Sequence, residues 1–122
     1  MKTCELKENQ GNPLLETKIL RELHERLVKS LMDVIVLVEL REGAVFLGGY
    51  DVIELLHQKF DVLISSGTVY AILYSMERDG LITGEKTKNK RVYMLTEKGA
   101  NNIKAISEVK ANILDLLTKI VT

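Results

Sequence analysis

Between residues 81 and 95 the chain changes character for the length of one hairpin, and nothing else in the sequence constrains the fold as much. Leu81 to Thr87 and Lys90 to Leu95 read as two strands. The turn around Lys88-Asn89 is short enough for a β-hairpin. On both sides of this stretch apolar residues recur at helical spacing. The expected class is therefore mainly α with a small β-hairpin (α+β).

The helical stretches can be placed in order. Pro13 suits a first helical turn, and Leu14, Leu15, Ile19, Leu23 and Leu27 follow at spacings of three to five. From Leu31 to Leu40 apolar residues cover most of the circumference, which predicts a buried helix. Whether these are one bent helix or two is open; Lys29-Ser30 is the expected break. Gly43 and Gly48-Gly49 bracket an expected loop, and Tyr50 to Phe60 returns to helical spacing. Asp61 to Ile64 reads as a turn or one brief strand. Ser65-Ser66 offers an N-cap for a helix that ends at Asp79-Gly80. Thr96 can cap a last helix running to the C-terminus.

Helix, helix, short strand, helix, hairpin, helix is the part list of a winged helix-turn-helix. The predicted helix 66–79 turns Val69, Ile72, Leu73 and Met76 to a core. Its other face carries Ser66, Thr68, Tyr70, Ala71, Tyr74, Ser75 and Arg78. Such side chains let a helix lie close in a major groove about 12 Å wide. The hairpin tip, residues 86–91, holds Lys86, Lys88, Lys90 and Arg91. Four cations on a turn suit phosphates, whose counterions are released on contact; a merely solvated basic turn is the alternative. Tyr70 either reaches phosphate through its hydroxyl or packs on the wing. Tyr50 and Tyr93 read as core residues with hydroxyls at the edge. Arg78 either contacts DNA or complements the negative end of the helix dipole.

Composition narrows the function classes. At 46% hydrophobic and 28% charged, 122 residues suffice for one core and do not resemble a disordered chain. Lysine plus arginine and aspartate plus glutamate both number 17, so the net charge is zero. Their distribution is uneven: residues 1–61 carry 8 basic and 11 acidic side chains, residues 62–122 carry 9 and 6. A local basic surface can steer a polyanion on a neutral protein. Cys4 is the single cysteine, which excludes an intrachain disulfide and suits a reducing compartment. Met1 to Gly11 is polar, so no secretory leader is expected, and the longest apolar run, Val34 to Val38, is too short for a membrane span. A cytoplasmic protein is expected. His24 and His57 have no metal-ligand spacing, no catalytic constellation is visible, and neither metal, cofactor nor enzymatic activity is expected.

Four short segments carry a resemblance. They are Gly49-Tyr50-Asp51, then Ser66-Gly67-Thr68-Val69-Tyr70, then Met76-Glu77-Arg78-Asp79-Gly80-Leu81-Ile82, and last Arg91-Val92-Tyr93-Met94-Leu95-Thr96-Glu97-Lys98-Gly99. In this order and spacing, over roughly residues 30 to 100, the chain resembles the PadR family of transcription regulators. The resemblance implies a winged helix that binds operator DNA and a C-terminal helix that dimerises. It puts Ser66, Thr68 and Tyr70 at the DNA-facing start of the recognition helix and Lys88, Lys90 and Arg91 on the wing. Ala71 stands where the family usually has proline, and residues 1–28 are longer than the usual lead-in.

The expected organisation is a polar tail over 1–12, a winged-helix DNA-binding domain with an N-terminal helical extension over 13–100, and a dimerisation helix over 101–122. Ile103, Ile106, Ile113, Leu117 and Ile120 form an a/d-like seam interrupted by Lys110, and a two-fold pairing would bury it. Leu14, Ile19 and Leu23 are an alternative part of that seam. The expected function is sequence-specific regulation, with repression implied by the resemblance, on double-stranded DNA carrying a pseudo-palindromic operator. A small-molecule effector, if one is used, has room only at the dimer interface. The rival is a winged-helix protein–protein interaction module without DNA binding, which zero net charge and a helix face with Arg78 as its one cation favour.

Overall fold

A computed structural model describes residues 13–122. The predicted tail, with Cys4, lies outside the described residues. The chain divides into two units, one ending at Leu31 and one spanning Met32–Thr122.

The first unit holds helix α1, Pro13–Ser30. Its opening proline lacks the amide that a first helical turn leaves unpaired. Leu14, Leu15, Ile19, Leu20, Leu23 and Leu27 are all exposed.

The second unit begins with α2, Met32–Glu42, so the two helical stretches are separate helices parted at Leu31. Strand β1, Phe46–Gly48, leads directly into α3, Gly49–Phe60. Helix α4 spans Ser66–Arg78, strands β2 and β3 span Ile82–Thr87 and Lys90–Leu95, and helices α5 and α6 span Glu97–Glu108 and Lys110–Ile120. The hairpin closes with Thr87 opposite Lys90 and runs back to Ile82 opposite Leu95. Residues 46–48 correct the expected loop: they pair antiparallel with Val92–Met94 on the other side of β3. The sheet is thus three-stranded in the order β1-β3-β2. Asp61–Ile64 forms no strand; Asp61 takes a left-handed φ of 56° as the C-cap of α3.

The core takes one face of α2, α3, α4, α5 and the sheet, and no residue of α6 is buried. Val36, Leu37, Val52, Leu56, Val62, Val69, Leu73, Ile82, Tyr93 and Ile103 are almost wholly withdrawn from solvent. Tyr50, expected in this core, is instead 76% exposed on the first turn of α3. It sits beside Gly49, and the inward positions of that helix are taken by Val52 and Leu56.

The turn after α4 is fastened by the residues that open α5. Gly80 adopts φ 81°, a left-handed geometry natural to glycine. The Thr96 hydroxyl lies 2.6 Å from the Gly80 carbonyl and 2.9 Å from that of Leu81, and accepts from the Gly99 amide at 3.0 Å. Lys98 donates to the Asp79 carbonyl at 2.7 Å, at the negative end of α4. A side chain on Gly99 would collide with the Leu81 carbonyl. Helix α5 is also held at its far end, where Arg41 of α2 donates to the Ser107 hydroxyl at 2.9 Å.

One C-terminal helix was expected and two are found, parted at Val109. Ser107 donates its hydroxyl back to the Ile103 carbonyl, and the Val109 amide bonds to Ile106 instead of the residue four back. Such back-bonding competes with the regular ladder and bends helices. The break divides the predicted seam: Ile103 is 1% exposed in the chain's own core, while Ile113, Leu117 and Ile120 remain exposed on α6.

Candidate nucleic-acid interface

Helix α4 is capped at its start and packed along one side. Ser65 is the N-cap; its hydroxyl accepts from the Thr68 amide at 3.3 Å and lies 3.0 Å from the Thr68 hydroxyl. Val69, Leu73 and Met76 are buried. Ser66, Thr68, Ala71, Tyr74 and Arg78 are exposed, so the polar face read from the sequence is the solvent face.

Tyr70 does not stand free on that face. It is half-buried, with its ring so close to Gly49 that a Cβ there would collide with it. Tyr70 therefore packs on the first residue of α3. Tyr74, one turn on, is 51% exposed, and its ring centroid is 6.1 Å from that of Tyr70. The Gly48 amide, freed at the start of α3, donates to the Asp51 carboxylate at 2.7 Å. The Gly49-Tyr50-Asp51 segment thus builds a helix start on which Tyr70 rests.

The hairpin tip presents Lys86, Lys88 and Lys90 to solvent, and among the described residues none of these is ion-paired. Lys88 sits in the turn with φ 53°, a conformation that disfavours a side chain. Arg91 is placed differently. Its Nη2 is 2.5 Å from Oε2 of Glu77, in the last turn of α4. Glu77 also accepts from the Gly84 amide at 3.1 Å. The Arg91 hydrogen bond holds the Glu77 carboxyl below the usual carboxylate range, against the opposing pull of burial. The Arg91 guanidinium lies 5.8 Å from the Tyr93 ring centroid. Burial raises the Tyr93 phenol, whose oxygen has no hydrogen-bond partner among the described residues.

The model of the transcriptional regulator PadR-like family matches residues 36–105, more than half of the chain. The chain belongs to the PadR-like family of transcriptional regulators. Solved structures of PadR regulators and other winged helices share the fold. A PadR family transcriptional regulator from Eggerthella lenta aligns at 20% identity and TM-score 0.70, over 88% of this chain and 96% of that one. A winged-helix DNA-binding protein from STIV aligns at 25% identity and TM-score 0.58, over 70% and 91%. Bacillus subtilis PadR in complex with operator DNA aligns at 23% identity and TM-score 0.55, over 62% of this chain and 46% of that one. No curated protein matches.

In PadR terms, α4 stands where a recognition helix is expected and β2–β3 is the wing. The four segments that carry the resemblance have unequal duties. Thr96, Lys98 and Gly99 all close on the turn Asp79-Gly80-Leu81, so those two segments are one structural lock. Glu77 was not among the residues expected at the site, although it lies between Met76 and Ile82, a segment that carries the family resemblance. A lone glutamate among helix residues gave no signal, because its partners are 7 and 14 residues away on the hairpin. Among the described residues no helix is long and apolar enough to cross a membrane, and no group of His, Cys, Asp and Glu could hold a metal ion.

Proposed function

We propose that this PadR-like protein is a sequence-specific DNA-binding repressor that acts as a homodimer. Helix α4 enters the major groove with Ser66, Thr68, Tyr74 and Arg78, and the wing lysines Lys86, Lys88 and Lys90 meet the backbone. Tyr70 supports the helix from below. The observation that carries this reading is an exposed polar face on α4 next to three exposed lysines that form no ion pair among the described residues, on two elements that Glu77 joins. Membership of a regulator family supports it, as does the B. subtilis PadR structure with operator DNA.

Pairing of two copies through Ile113, Leu117 and Ile120, with Ile106 at the edge, covers the apolar face of α6. A dimer reading a pseudo-palindrome sets its recognition helices about 34 Å apart. Any small-molecule effector acts at that interface.

The test is fluorescence anisotropy of duplex DNA from the gene's own upstream region at two salt concentrations, with unrelated duplex as competitor. Competitor-resistant binding that weakens with salt, with a shallower salt slope for Lys88→Ala/Lys90→Ala, is expected. Binding no tighter than to unrelated duplex would favour a protein-interaction module, which the zero net charge also suits.

A further inference from the structure

We infer that Glu77 and Arg91 form a strut that fixes the wing against α4, and that Arg91 is a positioning residue and not a phosphate contact. The inference rests on the DNA-binding reading above and separates the four wing cations into two kinds.

One carboxylate oxygen gathers both strands of the hairpin to the helix. Oε2 of Glu77 takes Nη2 of Arg91 from β3 at 2.5 Å and the Gly84 amide from β2 at 3.1 Å. β2 is one of the two edge strands of the sheet, so this bond also satisfies a donor on an open edge. Gly84 lies opposite Tyr93 and Lys86 opposite Arg91, which puts these four on one face of the hairpin. The absence of a side chain at Gly84 makes the seat for Arg91: a Cβ there would stand 2.5 Å from its Nε. Behind the guanidinium is the buried Tyr93 ring.

Arg91 is thus neutralised by an acid, seated on a glycine and backed by a ring. One edge of the guanidinium is already committed to a carboxylate in a charge-assisted bond, and that carboxylate's charge opposes an approaching DNA phosphate. Lys86, Lys88 and Lys90 carry no such constraint. The strut aims the lysines; the lysines bind.

The test compares wild type, Glu77→Gln, Arg91→Ala and the double variant by DNA anisotropy across a salt series, with Lys88→Ala as the phosphate-contact standard. Each single strut variant is expected to weaken binding about 3- to 10-fold with an unchanged log–log salt slope. The double variant should be no weaker than either single, because both remove one device. Lys88→Ala should lower the slope by about one. A slope lowered by Arg91→Ala, tighter binding by Glu77→Gln, or multiplying effects in the double variant would each overturn the inference. Amide hydrogen exchange at Gly84 tests the strut without DNA: Glu77→Ala, which removes the acceptor, should speed it about 10-fold or more while core amides hold. If the wild type binds no duplex, the DNA reading fails, and unchanged Gly84 exchange would then sink the strut on its own.

Discussion

Glu77 and Arg91 are 14 residues apart in sequence and meet at 2.5 Å, so the end of α4 and the start of β3 are held by one ion pair. The Glu77 carboxyl is depressed by that bond. A depressed carboxyl contributes stability that is present above its unfolded pKa, about 4.3, and is lost as pH falls through the folded value. Between pH 6 and pH 3 wild type should therefore lose more stability than Glu77→Gln. The pair is partly exposed, so the difference should be about 1 kcal/mol or less. Parallel urea titrations check it; equal losses in both proteins would refute the linkage.

Lys88 holds φ 53° at the hairpin turn. Left-handed geometry penalises any side chain with a Cβ, and glycine escapes the penalty. Lys88→Gly should raise stability by up to about 1 kcal/mol and weaken DNA binding together. Thermal unfolding and anisotropy measured on the same sample decide it. A gain in stability without loss of affinity would remove Lys88 from the interface.

Gly49 lies under the Tyr70 ring. Gly49→Ala should cost about 1–3 kcal/mol by overpacking, and most of that cost should vanish in a Tyr70→Ser background. A double-mutant cycle in urea measures the coupling; additive effects would mean the ring shifts freely.

The Tyr93 hydroxyl is buried without a partner among the described residues. Removing an unsatisfied polar atom while keeping the ring should be neutral or stabilising, by about 0–1 kcal/mol. Tyr93→Phe, followed by thermal unfolding, tests this. A marked loss of stability would show that the oxygen has a water or other partner.

Ile103 and Leu117 belonged to one expected seam but lie on different helices, one buried and one exposed. Ile103→Ala should cost about 2–5 kcal/mol through its cavity. Leu117→Asp should leave the fold intact and shift sedimentation toward monomer. If Leu117→Asp stays dimeric, α6 is not the interface.

What the sequence disclosed follows a physical boundary. Ser65, Thr96 and Gly80 were legible because caps act within three residues. The hairpin was legible because its turn is local. β1 was not: three residues beside a double glycine form a strand only because β3 offers them an edge. Tyr50 was misplaced, and the seat of Tyr70 on Gly49 was not foreseen, because which tyrosine is covered depends on where α3 meets α4. The break at Val109 was hidden because apolar residues keep helical spacing on both sides of it, and one interrupting lysine, Lys110, does not by itself end a helix. Glu77 shows the limit at the site itself: its chemistry is ordinary, and its importance lies in which distant donors reach it.

β1 grips only Val92–Met94, while β2 and β3 continue together to Thr87 and Lys90. The root of the wing is a central strand held on both sides, and its tip extends past the third strand. Lengthening or shortening that tip by one residue on each strand preserves the register at the root, since opposite partners shift in step. Such a change alternates which face each new pair occupies, so two per strand restores the original facing. Evolution thus has a module whose reach along a nucleic acid can be altered stepwise while the core and the recognition helix keep their sequence.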